Sequence, residues 1–197
     1  MFSSLVSSLS GVGEYLLMLF GVVGVCFRGP PKWSLIRDQL FEIGVMSLPV
    51  VAITGFSTGM VLAAQSYFQL SDKGLASATG LMVTKAMLVE LGPVLTAFMI
   101  TGRVGAAMCA ELGTMRVTEQ IDALTTLSTN PLKYLVVPRI YAGLVLLPCL
   151  VLIADIIGVM GGYLIAVYKL GFNSGIYLHQ TWQFLETRDV VLGLVKA

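Results

Sequence analysis

Residues 43–70 carry no Asp, Glu, Lys, Arg or His side chain. A helix that crosses the hydrocarbon core of a bilayer needs about 20 mostly apolar residues, and this run is longer than that. The composition agrees, since 56% of the chain is hydrophobic and 12% is charged, against about 45–50% and about 25% in soluble domains. The sequence therefore predicts an integral membrane protein and argues against a soluble domain.

Charge and cysteine content exclude several classes of function. The formal net charge is +1, and no basic stripe of the kind that binds nucleic acid is present, so we expect no nucleic-acid partner. The three cysteines, Cys26, Cys109 and Cys149, lie in apolar surroundings without paired or metal-like spacing. They are interpreted as packed thiols, and we predict neither a disulfide nor a metal site.

Two further apolar stretches, 75–110 and 138–168, are long enough to cross a bilayer. The first contains Lys85, Glu90 and Arg103, so it is not a helix that faces lipid throughout. A new apolar segment over 190–197 is predicted to begin a fourth span. The fold predicted from these runs is all-α and polytopic.

The N-terminal region, 1–42, differs from these spans. From Leu5 to Phe27 the large apolar residues recur at steps of three and four, which predicts an amphipathic helix. We expect it to lie in the interface plane, with a tilted first span as the alternative. The segment from Arg28 to Lys32 contains Gly-Pro-Pro and should break the helix, and Trp33 suits a headgroup-level anchor.

The distribution of basic residues predicts the orientation. If the N-terminal side is cytoplasmic, most of the basic residues near span ends lie inside, while Lys73, Lys169 and Arg188 lie outside. The positive-inside rule favours this choice. It places the polar connection 111–130 in the cytoplasm.

Residues 55–59 read Gly-Phe-Ser-Thr-Gly, which matches the G-x-S-x-G pattern of serine hydrolases. That pattern works on a strained strand-to-helix turn beside a histidine base, whereas this one lies within an apolar helix and His179 is distant in sequence. We interpret Gly55 and Gly59 as a G-x-x-x-G helix contact. An intramembrane enzyme that uses Ser57 or buried carboxylates remains an alternative, as does a membrane scaffold without transport activity.

The chain contains neither a G-x-x-x-x-G-K-[ST] phosphate loop nor an H-E-x-x-H metal motif. A P-loop is what cradles the phosphates of ATP in the common nucleotide hydrolases. We therefore expect no catalytic residue and no cofactor in this chain, and any ATP hydrolysis is expected in a separate protein.

Short motifs follow one another over residues 90–139. The motifs, each numbered at its first residue, are Glu90-Leu-Gly-Pro-Val, Gly102-Arg-Val-Gly-Ala-Ala, Ala110-Glu-Leu-Gly-Thr-Met-Arg-Val-Thr-Glu-Gln, Asn130-Pro-Leu and Val137-Pro-Arg. In order and spacing they resemble the MlaE (YrbE-like) family, the permease subunits of ABC systems that move phospholipid between bacterial membranes with MCE-domain partners.

The resemblance implies a multi-pass permease of the bacterial inner membrane, with 1–197 forming one permease domain. It implies a homodimer that binds a glycerophospholipid, a cytoplasmic ABC ATPase that binds the ATP, and a periplasmic MCE-domain protein. It also implies that the chain is truncated at its C-terminus, before the rest of a fourth helix and a fifth.

The polar connection 111–130 can form a short amphipathic helix, because Val117, Ile121 and Leu124 would share one face. A solvated loop is the alternative on the residues alone. The resemblance implies that this segment is the coupling helix that docks on the ATPase. The residues that it assigns to coupling are Glu111, Arg116, Glu119, Gln120, Ile121 and Leu124.

The resemblance also places a lipid pocket in the membrane, lined by Met60, Leu62, Tyr67, Lys85 and Glu90. On the residues alone, the first three are ordinary packing residues. Many family members carry Arg before the glutamate of the E-L-G-P motif, where this chain has Val89.

Two embedded carboxylates and one lysine need an explanation. Glu90 precedes Arg103 by 13 positions, which places it about 20 Å further along a helix, so its carboxylate should face a cavity, a partner or water. Lys85 is about 140° around the helix from Glu90 and is expected to reach the outer interface. Asp155 is either functional or hydrated near the outer end of its span.

Overall fold

The computed structural model describes residues 2–26, 33–183 and 185–197, and these form helices joined by short turns. In chain order the helices are α1 (Phe2–Cys26), α2 (Trp33–Leu40), α3 (Leu48–Ser71), α4 (Thr79–Ala86), α5 (Gly92–Val117), α6 (Gln120–Thr126), α7 (Val137–Tyr168), α8 (Ser174–Gln183) and α9 (Thr187–Lys196). Short π-helical stretches precede α3, α5 and α7, namely Phe41–Val45, Met87–Leu91 and Leu132–Val136. The predicted helix break over 28–32 lies outside the described residues.

Several of these helices join end to end into three rods long and apolar enough to cross a membrane. The rods are Trp33–Ser71, Ala76–Val117 and Leu132–Tyr168, with 39, 42 and 37 residues. Each contains one of the spans predicted from the sequence, so the all-α polytopic fold is confirmed. Each rod also exceeds the about 20 residues that a bilayer core requires, so its ends can extend beyond the core.

The chain divides into two compact units, Met1–Phe41 with Cys109–Gly143, and Glu42–Met108 with Leu144–Ala197. The single permease domain predicted over 1–197 stays a prediction. In the first unit, the Tyr141 hydroxyl donates a hydrogen bond of 3.2 Å to the Cys26 carbonyl at the end of α1. The apolar stretch of α1, Ser10–Cys26, is shorter than a span, and its placement in the interface plane stays a prediction.

Glycines set the helix packing in the second unit. A Cβ added at Gly55 would lie 2.8 Å from the Ala154 carbonyl oxygen, and one at Gly59 would overlap the Gly158 carbonyl. The backbones of α3 and α7 are therefore in contact, as the G-x-x-x-G spacing predicted. Ser57, between the two glycines, is on the exposed side of α3.

A second group of contacts holds α4 and α8 in this unit. Ala63, Val83 and Met87 form a buried apolar cluster. Tyr177 of α8 is 2% exposed, and its ring lies 5.7 Å from that of Tyr163 in an edge-on contact. Burial raises the pKa of Tyr177 to about 12, so this phenol stays neutral and acts as a packing group. The hydropathy of the sequence did not predict α8.

Candidate coupling segment and charged helix contact

The second rod is irregular just before Pro93, and this irregularity creates a binding surface. Met87–Leu91 is π-helical, and the Gly92 N–H donates to the Met87 carbonyl five residues earlier. Pro93 has no N–H to donate, so it cannot bond the backbone carbonyls four or five positions earlier. Those are the carbonyls of Val89 and Leu88. π-Bulges of this kind are frequent at functional sites.

Helix α9 binds at these two carbonyls. Gly193 packs so closely on the Leu88 carbonyl that a Cβ there would overlap it. Lys196 Nζ donates to the Val89 carbonyl at 2.8 Å and to Glu90 Oε1 at 2.6 Å. The side chain of Lys196 thus bonds a backbone carbonyl to which Pro93 cannot donate.

A second ion pair joins the second rod to α9, with Lys85 Nζ 3.6 Å from Asp189 Oδ2. The side chain of Asp189 is 12% exposed, against 44% for Lys85. As the chain advances from Lys85 to Glu90, the partners advance from Asp189 to Lys196, so α9 runs parallel to this part of the second rod. Lys85 thus pairs with α9, and its expected place at the outer interface stays a prediction.

The predicted lipid-pocket residues occupy different surroundings. Met60 and Tyr67 are seven residues apart and share one side of α3, whereas Leu62 packs against the internal apolar cluster. The Tyr67 ring contacts Phe172 edge-on at 5.6 Å. Lys85 and Glu90 both bind α9. Sequence reasoning missed Asp189 and Lys196, although their spacing of seven places both charges on one face of α9.

The predicted coupling helix over 111–130 is divided in the structure. Residues up to Val117 complete α5, and α6 begins at Gln120. Glu119 separates them in a left-handed conformation, with φ 57° and ψ 16°. Val117 therefore does not share a helical face with Ile121 and Leu124, because the helix axis changes direction between them.

Helix α6 retains part of the predicted amphipathic pattern. Ile121 and Leu124 are half-buried on one side, whereas Glu119 and Gln120 are exposed. A second left-handed residue, Ser128 with φ 55°, follows the helix. Left-handed backbone costs of order 1 kcal/mol for a residue with a Cβ, and such strain clusters at switch and binding regions.

Two ion pairs lie beside this segment in the first unit. Arg116 Nη1 is 2.9 Å from Asp122 Oδ1, but both side chains are more than half exposed, so this pair adds little stability. Arg139 pairs with Glu111 through Nη2, and the Arg139 side chain is only 8% exposed. Its Nε and Nη1 have no hydrogen-bond partner among the described residues. Glu111 is therefore the counter-ion of a buried guanidinium.

This architecture defines a multi-pass α-helical membrane protein with a short helix inserted between its second and third rods. The family described as Permease MlaE matches residues 36–197, and the chain belongs to this family. It is therefore identified as a transporter permease.

Relatives extend the match over nearly the whole chain. A probable ABC transporter permease protein of Rickettsia conorii is 56% identical over 186 residues, which cover 94% of this chain and 72% of the relative. The intermembrane phospholipid transport system permease protein MlaE of Haemophilus influenzae is 34% identical, with the same two coverages. A probable ABC transporter permease protein of Synechocystis is 39% identical over 81% of this chain and 61% of its own length.

Proposed function

We propose that this permease moves glycerophospholipids between the inner and outer membranes of a bacterium, with energy supplied by a separate cytoplasmic ATPase. The observation that carries the proposal is the family match over 36–197, together with the phospholipid transport named for the Haemophilus relative. The transporter works as a homodimer in the inner membrane and delivers lipid to, or receives it from, a periplasmic MCE-domain protein. ATP is bound by the ATPase, so the permease itself needs no cofactor.

The coupling element in this proposal is the end of α5 with α6. Glu111 and Arg116 lie on α5, whereas Glu119, Gln120, Ile121 and Leu124 lie at and within α6. The exposed polar start of α6 and its half-buried apolar side suit a helix that docks in a groove of a partner. When ATP closes the two ATPases, the docked helices move and shift the population of the dimer between lipid-accepting and lipid-releasing shapes.

The lipid pocket in this proposal lies against α3 and the irregular part of the second rod. Met60, Leu62 and Tyr67 offer apolar surface for acyl chains, and Lys85 and Glu90 offer charge for a headgroup. Both charges are bound to α9. A headgroup that reaches them must therefore compete with Asp189 and Lys196, which couples lipid binding to the position of α9.

Co-purification tests this proposal against its two alternatives. The full-length permease, extracted in mild detergent, should retain an ABC ATPase and glycerophospholipid that mass spectrometry identifies. A scaffold would retain protein partners without stoichiometric lipid. Absence of both the ATPase and the lipid would refute the proposal.

One form of the intramembrane-enzyme alternative uses Ser57 as a nucleophile. Within the described residues Ser57 has no hydrogen-bond partner, and a serine requires an adjacent base to be activated. Ser57→Ala should leave lipid transport within a few-fold of normal. Complete loss of activity, with assembly and lipid binding intact, would favour the enzyme.

A further inference from the structure

A cavity of about 280 Å³ lies in the second unit between the second rod, α7, α8 and α9. Its wall is almost entirely apolar, formed by side chains such as Leu88, Val159 and Val190. Three polar residues interrupt it, namely Thr84, Asp155 and Thr181. None of these belongs to the coupling segment or to the proposed lipid-pocket residues.

Asp155 is the charged group of this cavity and is only 3% exposed. Its Oδ1 is buried without a hydrogen-bond partner in the described part of the chain. Leaving an ionised carboxylate buried without a partner is costly, and such groups are normally paired. The Asp155 side chain also packs closely against Gly92, because a Cβ at Gly92 would overlap Asp155 Oδ1.

Two lysines of the second rod and α9 are bound to other groups. Lys85 pairs with Asp189, and Lys196 bonds Glu90 and the Val89 carbonyl. Thr84 donates to the Gly80 carbonyl at 2.8 Å. The Thr181 hydroxyl, in contrast, is buried without a partner among the described residues. Asp155 and Thr181 therefore both line the cavity, and each has one buried oxygen without a partner among the described residues.

A cation would compensate the charge of Asp155, and the residues that line the cavity favour an organic cation over a metal ion. Metal ions such as Ca²⁺ or Mg²⁺ take six or more oxygen ligands, and the described residues contain no group of three His, Cys, Asp or Glu that could hold a metal. An organic ammonium group needs only one carboxylate and a hydrogen-bond acceptor, and its carbon substituents suit an apolar wall.

We propose that this cavity is a binding site for an alkylammonium group, with Asp155 as its counter-ion and Thr181 as a hydrogen-bond acceptor. The group comes either from the ethanolamine headgroup of a phospholipid or from a free small amine. Only the first source rests on the proposed function, and the ion-pair chemistry is the same for both.

The experiment uses full-length permease, purified with its ATPase in detergent. Retention of dioleoyl phosphatidylethanolamine and of dioleoyl phosphatidylglycerol is compared by native mass spectrometry, because these lipids differ only in their headgroup. Thermal stabilisation by ethylammonium chloride, against potassium chloride at equal concentration, tests the free amine. Asp155→Asn removes the charge at nearly constant shape, Thr181→Val removes the hydroxyl, and Asp72→Asn is the matched control at an exposed carboxylate.

The unmodified protein should prefer at least one ammonium probe over its uncharged or inorganic counterpart. Asp155→Asn should reduce that preference by about tenfold or more, as expected when a buried charged partner is removed. Thr181→Val should reduce it by a few-fold, and Asp72→Asn should leave it unchanged. A preference for the lipid alone or for ethylammonium alone identifies the source and supports the site in either case.

The proposal is overturned if neither probe is preferred, or if Asp155→Asn keeps the full preference. Transfer of phosphatidylglycerol by the same preparation reports separately on the proposed function. If no lipid of either kind is transferred, the transport proposal fails while the binding result still decides the amine site.

Discussion

Arg139 is the residue whose surroundings most constrain the first unit. Its guanidinium is buried, Glu111 is its ion-pair partner, and two of its nitrogen atoms have no partner among the described residues. Removing one member of a buried ion pair leaves an uncompensated charge, which costs more than the pair itself contributes. Glu111 therefore has a structural role in addition to its proposed place in coupling.

Glu111→Gln is expected to destabilise the protein by about 1–3 kcal/mol, below the full range for buried pairs because Glu111 is 44% exposed. Thermal unfolding of the purified protein in detergent measures the change. The matched control is Asp122→Asn, which removes the partner of the exposed Arg116 and should cost less than about 0.5 kcal/mol. Equal effects of the two variants would show that burial of Arg139 is not the controlling factor.

Single residues also show what the sequence could and could not predict. The close approach at Gly55 and Gly59 follows from their spacing, since small residues four apart remove side chains from one helix face. The pairing of Lys85 with Asp189 does not follow from any local pattern, because the partners are far apart in sequence. Asp155 was recognised as unusual, but its cavity is formed by four separate elements.

At the scale of elements, the irregular turn before Pro93 determines where α9 binds. The Val89 carbonyl, to which Pro93 cannot donate, accepts a hydrogen bond from Lys196. Pro93→Ala supplies an N–H that competes for this carbonyl or for that of Leu88. Helix α9 should then be held less tightly, and amide hydrogen exchange over 187–196 should become several-fold faster.

Pro148, which lies inside α7, provides the matched control for this experiment. Pro148→Ala also restores an N–H within a helix, but Pro148 lies outside the Met87–Leu91 stretch that contacts α9. Exchange over 187–196 should therefore stay unchanged in Pro148→Ala. If Pro93→Ala leaves α9 exchange unchanged as well, these carbonyls do not hold α9.

The coupling role of α6 leads to the next prediction. Changing Glu119 to Lys together with Gln120 to Ala places a positive charge at the exposed start of α6, where the proposal expects a carboxylate to contact the ATPase. Loss of one partner of a charged interface contact costs about 2–5 kcal/mol, so the ATPase should no longer co-purify, or its ATP hydrolysis should uncouple from lipid transfer. The variant should still insert and fold, because neither side chain is buried.

The control for this double change is Ser71→Ala with Asp72→Lys at the end of α3, which makes a similar charge change on the opposite predicted side of the membrane. ATPase binding should be normal in that variant. If both variants behave like the unmodified permease, α6 is only a connection between two rods.

The helices could be predicted from the sequence where an apolar run continues without interruption. The three rods follow from apolar runs, but their π-helical turns do not, because one extra residue in a turn leaves the composition unchanged. The division of 111–130 was missed for a similar reason. Glu119 and Ser128 adopt left-handed backbone without the glycine or asparagine that usually indicates it.

At the scale of the whole molecule, the positive-inside rule makes a prediction about sidedness. Lys73 and Lys133 are both exposed, so cysteines introduced there can be labelled. With the native cysteines replaced, a membrane-impermeant reagent added to the outer face of spheroplasts should label position 73 and not position 133. Labelling at 133 alone would reverse the topology and place α6 on the side away from any ATPase.

The central claim is that this family member is an ATP-driven phospholipid permease, and one measurement tests it most directly. Full-length permease and its ATPase are reconstituted in vesicles with a fluorescent phospholipid, and transfer to the MCE-domain partner is followed with and without ATP. The account predicts transfer that depends on ATP hydrolysis and that stops when the ATPase is catalytically inactive. Equal transfer with and without hydrolysis, or hydrolysis without any movement of lipid, would contradict it.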